Sequence, residues 1–154
     1  MDYYQGIVAE YLAANRATFV NPECLIQLEP GDAPAKHRHW YCDVLAIEPG
    51  KERAWLCEVT FSTTLAALVG RLRAWSTHWP EIRIALARDS AIPLTWQVKP
   101  RLFIPAVRRS LLDAKLRTLA GSAESEMPTP EIKHLEDIVP WKYRTWDRRD
   151  EDVD

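Results

Sequence analysis

The sequence predicts an α/β (α+β) fold in which a mixed central β-sheet is flanked by helices. Three observations favour this class: an amphipathic helix at the start, three strand-like segments joined by short links, and then helical and strand-like segments. A chain of 154 residues with 47% hydrophobic residues suits one domain with a self-supporting core. The meander requires antiparallel strands and a strand–helix–strand crossover requires parallel ones, so the sheet should be mixed.

The first element is a helix predicted over residues 3–16. Asp2 is a suitable N-cap, and apolar residues then recur at the spacing of one helix face. These residues are Tyr4, Ile7, Val8, Tyr11 and Leu12. Glu10 lies at the edge of this face, so its carboxylate is within reach of the sheet.

Three strands are predicted next, at residues 24–29, 40–48 and 53–61. A polar and basic loop, PGDAPAKHRH at residues 30–39, joins the first two, and PGKE at 49–52 forms a turn between the second and third. The second and third strands are apolar on both faces, which is typical of central strands that are covered on two sides.

A second helix is predicted from a cap at Ser62 or Thr63 to Trp79, with Pro80 ending it. A fourth strand is predicted at residues 82–87 (IRIALA), a fifth at 98–104 and a third helix at 105–120. The alternation of these elements after the hairpin provides the crossover that the mixed sheet needs.

Residues 1–120 are predicted to form the domain, and residues 121–130 (GSAESEMPTP) a linker. The tail at 131–154 has an apolar centre that includes Trp146 and is expected to pack back as a helical turn or two. Its charged end, residues 147–154 (DRRDEDVD), is expected to be disordered.

The charge and the cysteines exclude several classes of protein. A formal charge of −2 excludes a strongly basic nucleic-acid coat protein, although it allows a local basic patch. Cys24, Cys42 and Cys57 form no C-x-x-C pair and lie in apolar segments, so we expect reduced core residues in a cytoplasmic protein. Neither a signal peptide nor a membrane span is predicted, because no apolar run approaches about 18 residues.

Two acidic residues lie inside the apolar strands, where acids are rare. Asp43 is in WYCDVLAI and Glu58 is in AWLCEVTF. If residues 49–52 form the whole turn, Glu48 lies opposite Arg53. Five further positions along each strand then bring Asp43 opposite Glu58, with Cβ atoms about 5 Å apart on one face. A turn one residue shorter or longer would put the acids on opposite faces.

Two opposed carboxylates repel each other, so either one is protonated or a cation lies between them. Carboxylate and carbonyl oxygens suit Mg²⁺ or Mn²⁺. The Thr60 hydroxyl, on the same face as Glu58, is placed to hold a water molecule at such a metal, and Glu10 is a candidate third carboxylate. In the alternative interpretation, the acids bond Arg or Lys, Glu10 is a solvated helix residue and Thr60 is an ordinary strand residue.

In order and spacing, these residues resemble the PD-(D/E)XK nuclease superfamily, which has the restriction-endonuclease-like fold and an αβββαβ core. The resemblance covers residues 3–87 and rests on a helix with a Glu followed by a hairpin of the form Asp-(14 residues)-Glu-x-Thr. It implies a Mg²⁺-dependent nuclease. Asp43 would be the first acid, Glu58 the second and Glu10 the helix acid, and Asp43 and Glu58 would hold the metal.

Two positions depart from the family pattern. Cys42 stands where the family has Pro before the first acid, and Thr60 stands where it has the Lys that helps to orient or activate the attacking water. Lys99 and Lys36 are candidates to supply the missing cation. The departure at Thr60 also leaves open a catalytically inactive module of the same fold that binds nucleic acid or protein.

The resemblance implies nucleic acid as the partner, with DNA favoured over RNA. Lys36 and Arg38 in the basic loop and Arg71 in the second helix are the candidate phosphate contacts. Solvated surface positions, with Arg71 on the outer face of its helix, are the alternative. Four tryptophans without a predicted core position leave base stacking or a homodimer contact open. They are Trp40, Trp96, Trp141 and Trp146.

Overall fold

The computed structural model of the protein describes residues 2–122 and 124–143. In chain order its helices and strands are α1 (Tyr3–Ala13), β1 (Phe19–Gln27), β2 (His39–Glu48), β3 (Arg53–Val59), α2 (Ala66–Thr77), α3 (Trp79–Asp89), β4 (Gln97–Ile104), α4 (Arg109–Ser122) and β5 (Glu131–His134). Trp146 and the charged end of the predicted tail lie outside the described residues. Within those residues, no helix combines the length and the apolar character needed to cross a membrane.

The five strands lie in the sheet in the order in which they occur in the chain. β1, β2 and β3 form an antiparallel meander, and β4 and β5 continue the sheet parallel to β3. The crossover from β3 to β4 contains α2 and α3, and the crossover from β4 to β5 contains α4, since parallel neighbours need long connections. The predicted mixed sheet flanked by helices is confirmed.

The sheet separates two apolar cores. Alternate residues of β3 belong to different cores: Ala54 and Leu56 to one, and Trp55 and Cys57 to the other. The first core is completed by α2, α3 and α4, and the second by α1 and the residues just after β5. Burial on both sides explains why β2 and β3 are apolar on both faces, and the three cysteines are buried and free, as predicted.

The strand predicted at residues 82–87 is wrong, because these residues lie in α3. Pro80 does not end a helix but occupies the first turn of α3, where its missing N–H removes no helical hydrogen bond. Ile82 and Leu86 are buried whereas Ile84 is 57% exposed. A strand would have placed all three side chains on one face, so the burial follows the helical period.

Two further boundaries differ from the prediction. β1 begins at Phe19 rather than at residue 24, and a strand, β5, occupies the start of the tail where helical turns were expected. Short 3-10 turns follow β5 at Leu135–Asp137 and Pro140–Lys142, and Leu135 is buried in the second core. The predicted linker is shorter than expected, because α4 extends to Ser122.

Two isoleucines of α3 test the helical assignment. Ile82→Ala should lower the free energy of unfolding by about 2–5 kcal/mol, because it leaves a cavity in the core. Ile84→Ala, the matched control on the exposed side, should change it by less than about 0.5 kcal/mol. Urea denaturation measures both values, and equal losses for the two variants would contradict the helix.

Candidate metal-binding carboxylate site

The β2–β3 hairpin has the register that a four-residue turn predicts. Pro49–Lys51 form a 3-10 turn, and the N–H of Glu52 donates to the carbonyl oxygen of Pro49 at 3.1 Å. Glu48 consequently lies opposite Arg53. Arg53 Nε donates to Glu48 Oε2 at 2.8 Å, so a cross-strand ion pair stabilises this register.

The register brings Asp43 and Glu58 together at the other end of the hairpin. Pairing continues in step to Val44 opposite Cys57, and the next position on each strand is an acid. Both acids line one pocket of about 180 Å³. Glu58 is buried, with 4% of its surface exposed, and Asp43 is half-buried.

The backbone is irregular beside Asp43. The ladder between β1 and β2 is interrupted at Glu23, which has a φ of 52° in the left-handed region. A residue other than glycine held in this region costs about 1–3 kcal/mol, and such strain is concentrated at functional sites. Asp43 is the β2 residue across from this interruption, so the acid lies where the regular sheet is broken.

Two neighbours hold the Asp43 carboxyl group. Gln5 Nε2 donates to Oδ1 at 2.7 Å, and the backbone N–H of Val59 donates to Oδ2 at 2.8 Å. Gln5 is itself fixed by a capping box, because its backbone N–H donates to Asp2 Oδ1 at 2.8 Å and its Oε1 accepts from the Asp2 N–H at 3.3 Å. The first turn of α1 therefore orients Asp43, a role of Gln5 that the sequence analysis missed.

Arg71 of α2 is the cation beside the acids. Its Nη1 donates to Glu58 Oε1 at 2.7 Å and to the main-chain oxygen of Tyr41 at 2.8 Å. The prediction that Arg71 lies on the outer face of its helix is wrong, since 32% of its side chain is exposed and its guanidinium reaches inward. A cation is present at the acids, although neither Lys99 nor Lys36 supplies it.

The protonation of Glu58 reflects these surroundings. Burial raises the pKa of Glu58 well above its ordinary value of 4.5, and the hydrogen bond and charge of Asp43 raise it further. The charge and hydrogen bond of Arg71 act in the opposite direction and are outweighed. Glu58 thus keeps its proton at pH values at which an exposed glutamate has lost it, which limits the repulsion within the pair.

Thr60 and Glu10 differ in their relation to the pocket. Thr60 lines it, and its hydroxyl oxygen accepts from the N–H of Ser62 at 3.1 Å, which leaves the hydroxyl proton available to donate. Glu10 is exposed and is not among the lining residues. It lies about 7.5 Å further along the axis of α1 than Gln5, the residue that contacts Asp43.

The other predicted cations, Lys36, Arg38 and Lys99, do not line the acid pocket. Lys36 is exposed, and Arg38 bonds Glu29 and, at 3.0 Å, Glu81. Lys99 lies opposite Trp55 in the β3–β4 register, about 10 Å along the strand from the level of Glu58.

A pair of stacked aromatic rings belongs to residues that neighbour Gln5 and Thr60 in the chain. Phe61, which follows Thr60, is 54% exposed, and its ring stacks on that of Tyr4 with centroids 4.6 Å apart and planes inclined by 11°. Tyr4 precedes Gln5, so this pair of rings adjoins the residues that hold Asp43. The exposed Phe61 ring gives this pair an apolar surface that is open to solvent.

In residues 2–122 and 124–143, no group of three or more His, Cys, Asp and Glu side chains is placed to hold a metal ion. Comparisons of the chain with known protein families, with curated protein sequences and with solved structures found no match. The function is therefore inferred from the geometry of the site and from the resemblance of its sequence pattern.

The raised pKa of Glu58 predicts a pH-dependent stability. Because the folded state holds this proton more tightly than the unfolded state, unfolding releases it, and raising the pH upward from about 4.5 favours unfolding. The wild type should lose up to about 1.4 kcal/mol per pH unit in this window, relative to Glu58→Gln, which cannot titrate. Urea denaturation between pH 4 and 8 measures the difference.

Glu10→Gln is the control, since it removes an exposed carboxyl group from the same protein. The pH dependence of its difference from the wild type is the baseline against which that of Glu58→Gln is compared. If the difference for Glu58→Gln varies with pH no more than this baseline, Glu58 titrates as an ordinary glutamate.

Proposed function

We propose that the chain is a Mg²⁺-dependent nuclease that hydrolyses phosphodiester bonds of nucleic acid, with DNA favoured over RNA. The observation that carries the proposal is that Asp43 and Glu58, from neighbouring strands, line one pocket. The order of a helix, a three-stranded meander, a helical crossover and a parallel strand supports the resemblance to the PD-(D/E)XK superfamily.

The donor groups suit a hard divalent cation. Mg²⁺ is commonly held by one or two carboxylates, with water and substrate oxygens completing its shell. Asp43 and, once it has lost its proton, Glu58 offer two carboxylates, and the pocket of about 180 Å³ is large enough to hold an ion together with water molecules. When bound, Mg²⁺ or Mn²⁺ would polarise the scissile phosphate and lower the pKa of an attacking water.

Arg71 has two consequences for this site. Its Nη1 holds Glu58 Oε1 at 2.7 Å, so it competes with a cation for that oxygen. Once released, the guanidinium would bind phosphate oxygens in a bidentate manner and supply the positive charge that the family obtains from its Lys. Gln5 and the Val59 N–H hold Asp43 in place throughout.

The surroundings of the pocket support a nucleic acid as the substrate. The exposed Phe61 ring, stacked on Tyr4, offers a surface on which an unpaired base can stack. Lys36 is exposed and available to a phosphate group, whereas Arg38 would first have to leave Glu29 and Glu81.

A catalytically inactive module of the same fold, which binds nucleic acid or protein, is the second candidate. The bond between Arg71 and Glu58 favours it, because an internal cation already compensates the acid pair. The lack of a third metal-ligating side chain within the described ranges favours it as well.

Metal binding and cleavage test the two candidates separately. The wild type should bind Mn²⁺ in calorimetry and cleave single- or double-stranded DNA in the presence of Mg²⁺. Asp43→Asn should weaken Mn²⁺ binding by more than about 100-fold, because a ligand is lost. Asp32→Asn, in an exposed loop, is the matched control and should change neither property.

Metal binding without cleavage of any DNA or RNA would favour the inactive module. If Mn²⁺ does not bind either, Asp43 and Glu58 are structural and the nuclease proposal fails.

Replacing Arg71 separates its two roles. Arg71→Gln should tighten Mn²⁺ binding, because the competitor for Glu58 is removed, and should lower the rate of cleavage by about 100- to 1000-fold, because the phosphate loses a charged donor. Arg71→Lys keeps the charge and should recover part of the rate. Calorimetry and cleavage kinetics measure the two effects, and unchanged cleavage in Arg71→Gln would exclude a role of Arg71 on the substrate.

A further inference from the structure

A second cavity, of about 600 Å³, lies at the opposite end of the hairpin from the two acids. It is lined by the end of α1, the 49–52 turn, the first residue of β3 and residues of β4 and the tail. Arg53 and Glu58 are five residues apart on β3, which separates the two sites by about 17 Å. The cavity shares no lining residue with the acid pocket.

Cations dominate the lining of this cavity. Arg16, Lys51, Arg53 and Arg101 face a single acid, Glu48. The chain as a whole carries a formal charge of −2, so the excess of positive charge is local and runs against the overall balance.

Glu48, the single acid of the lining, already accepts hydrogen bonds from two neighbouring side chains. Glu48 Oε2 accepts from Arg53 Nε and Oε1 accepts from Trp55 Nε1, both at 2.8 Å. These bonds orient the Arg53 guanidinium. Its Nη groups form no hydrogen bond with any residue that the structure describes, so they are free to contact a ligand.

Arg101 is held rigidly as well. Its guanidinium lies 3.8 Å from the centre of the Trp55 ring, and its Nη2 lies 3.2 Å from Glu131 Oε1. Its Nε is buried without a hydrogen-bond partner in the described part of the chain. A buried donor of this kind is costly unless a partner completes it.

We propose that this cavity binds a phosphate monoester. Glu131, the partner of Arg101, and Glu48 together leave an excess of two positive charges among the four cations. A dianion with three acceptor oxygens matches this excess, and guanidinium groups bind phosphate through paired hydrogen bonds. The C-terminal end of α1 also borders the cavity, but its partial charge of about −0.5 is much smaller than that excess. A carboxylate, with one charge and two oxygens, would leave more of the site uncompensated.

The organic part of the ester has its own surface in the cavity. Tyr11 and Tyr143 both line it, and their rings meet edge to face with centroids 5.2 Å apart. Leu12 adds an aliphatic side chain to this wall. A compact ring attached to the phosphate would pack there.

Nuclear magnetic resonance of the full-length ¹⁵N-labelled chain tests the proposal with phenyl phosphate, inorganic phosphate and acetate at pH 8 and equal ionic strength. The Trp55 indole N–H, which bonds Glu48 beneath the two arginines, should shift saturably with phenyl phosphate, with a Kd of about 1 mM or tighter. The Trp75 indole, buried in the other core, is the internal control and should not move. Inorganic phosphate should bind more weakly, and acetate should not saturate the site.

Two exposed cations allow a variant that keeps the fold. Arg16→Gln combined with Lys51→Gln should weaken phenyl phosphate binding by about tenfold or more, since each phosphate contact is charge-assisted. Lys115→Gln with Arg117→Gln, on exposed positions of α4, is the matched control and should leave the affinity unchanged. The proposal is overturned if phenyl phosphate binds no better than acetate or than inorganic phosphate, or if the double variant binds as tightly as the wild type. Neither result bears on the acid pair, whose metal binding is measured separately.

Discussion

The turn at Pro49–Lys51 sets the alignment of β2 with β3, and the positions of both candidate sites follow from it. Because strand side chains alternate between two faces, one residue more or less in this turn would place one of the two acids, Asp43 or Glu58, on the opposite face of the sheet. Moving an ionised carboxylate into an apolar core without its partners costs several kcal/mol. The correct register is thus enforced by the same charges that the site uses.

The two buried acids of this hairpin, Glu48 and Glu58, have pKa values that their surroundings shift in opposite directions. Burial alone would raise the pKa of Glu48, but hydrogen bonds from Arg53 and Trp55 outweigh it and lower that pKa. For Glu58, burial and the nearby Asp43 outweigh Arg71, and the pKa rises. The hydrogen bonds of Arg53 and Trp55 stabilise ionised Glu48, which in turn stabilises the register. Glu58 and Asp43 repel each other when both are ionised, and a bound cation would reduce this repulsion.

The elements that follow from local patterns were predictable from the sequence, and those that depend on distant contacts were not. The hairpin and the meeting of its acids follow from alternation and turn length. The segment IRIALA fits a strand as well as a helix, and only the packing of Ile82 against the other helices decides between them. β5 is only four residues long and is held in the sheet by its pairing with β4, so its local sequence does not predict a strand.

The partners of the acids show the same division. Arg71 lies three residues after Leu68 and four before Trp75, both buried, so its helical position already indicates an inward direction. The position of Gln5 in the sequence does not indicate a contact with Asp43. A glutamine in the first turn of a helix commonly forms a capping box, and that role alone accounts for its presence. Its contact with Asp43 depends on where α1 packs on the sheet.

The most direct test of the carboxylate site is a crystal structure of the protein grown with Mn²⁺, examined by anomalous scattering. Metal binding by the two acids predicts one peak within bonding distance of Asp43 and Glu58, about 2.0–2.3 Å from their oxygens, with the Arg71 guanidinium moved away from Glu58. A map with no peak at the acids, in which Arg71 still bonds Glu58, would contradict it.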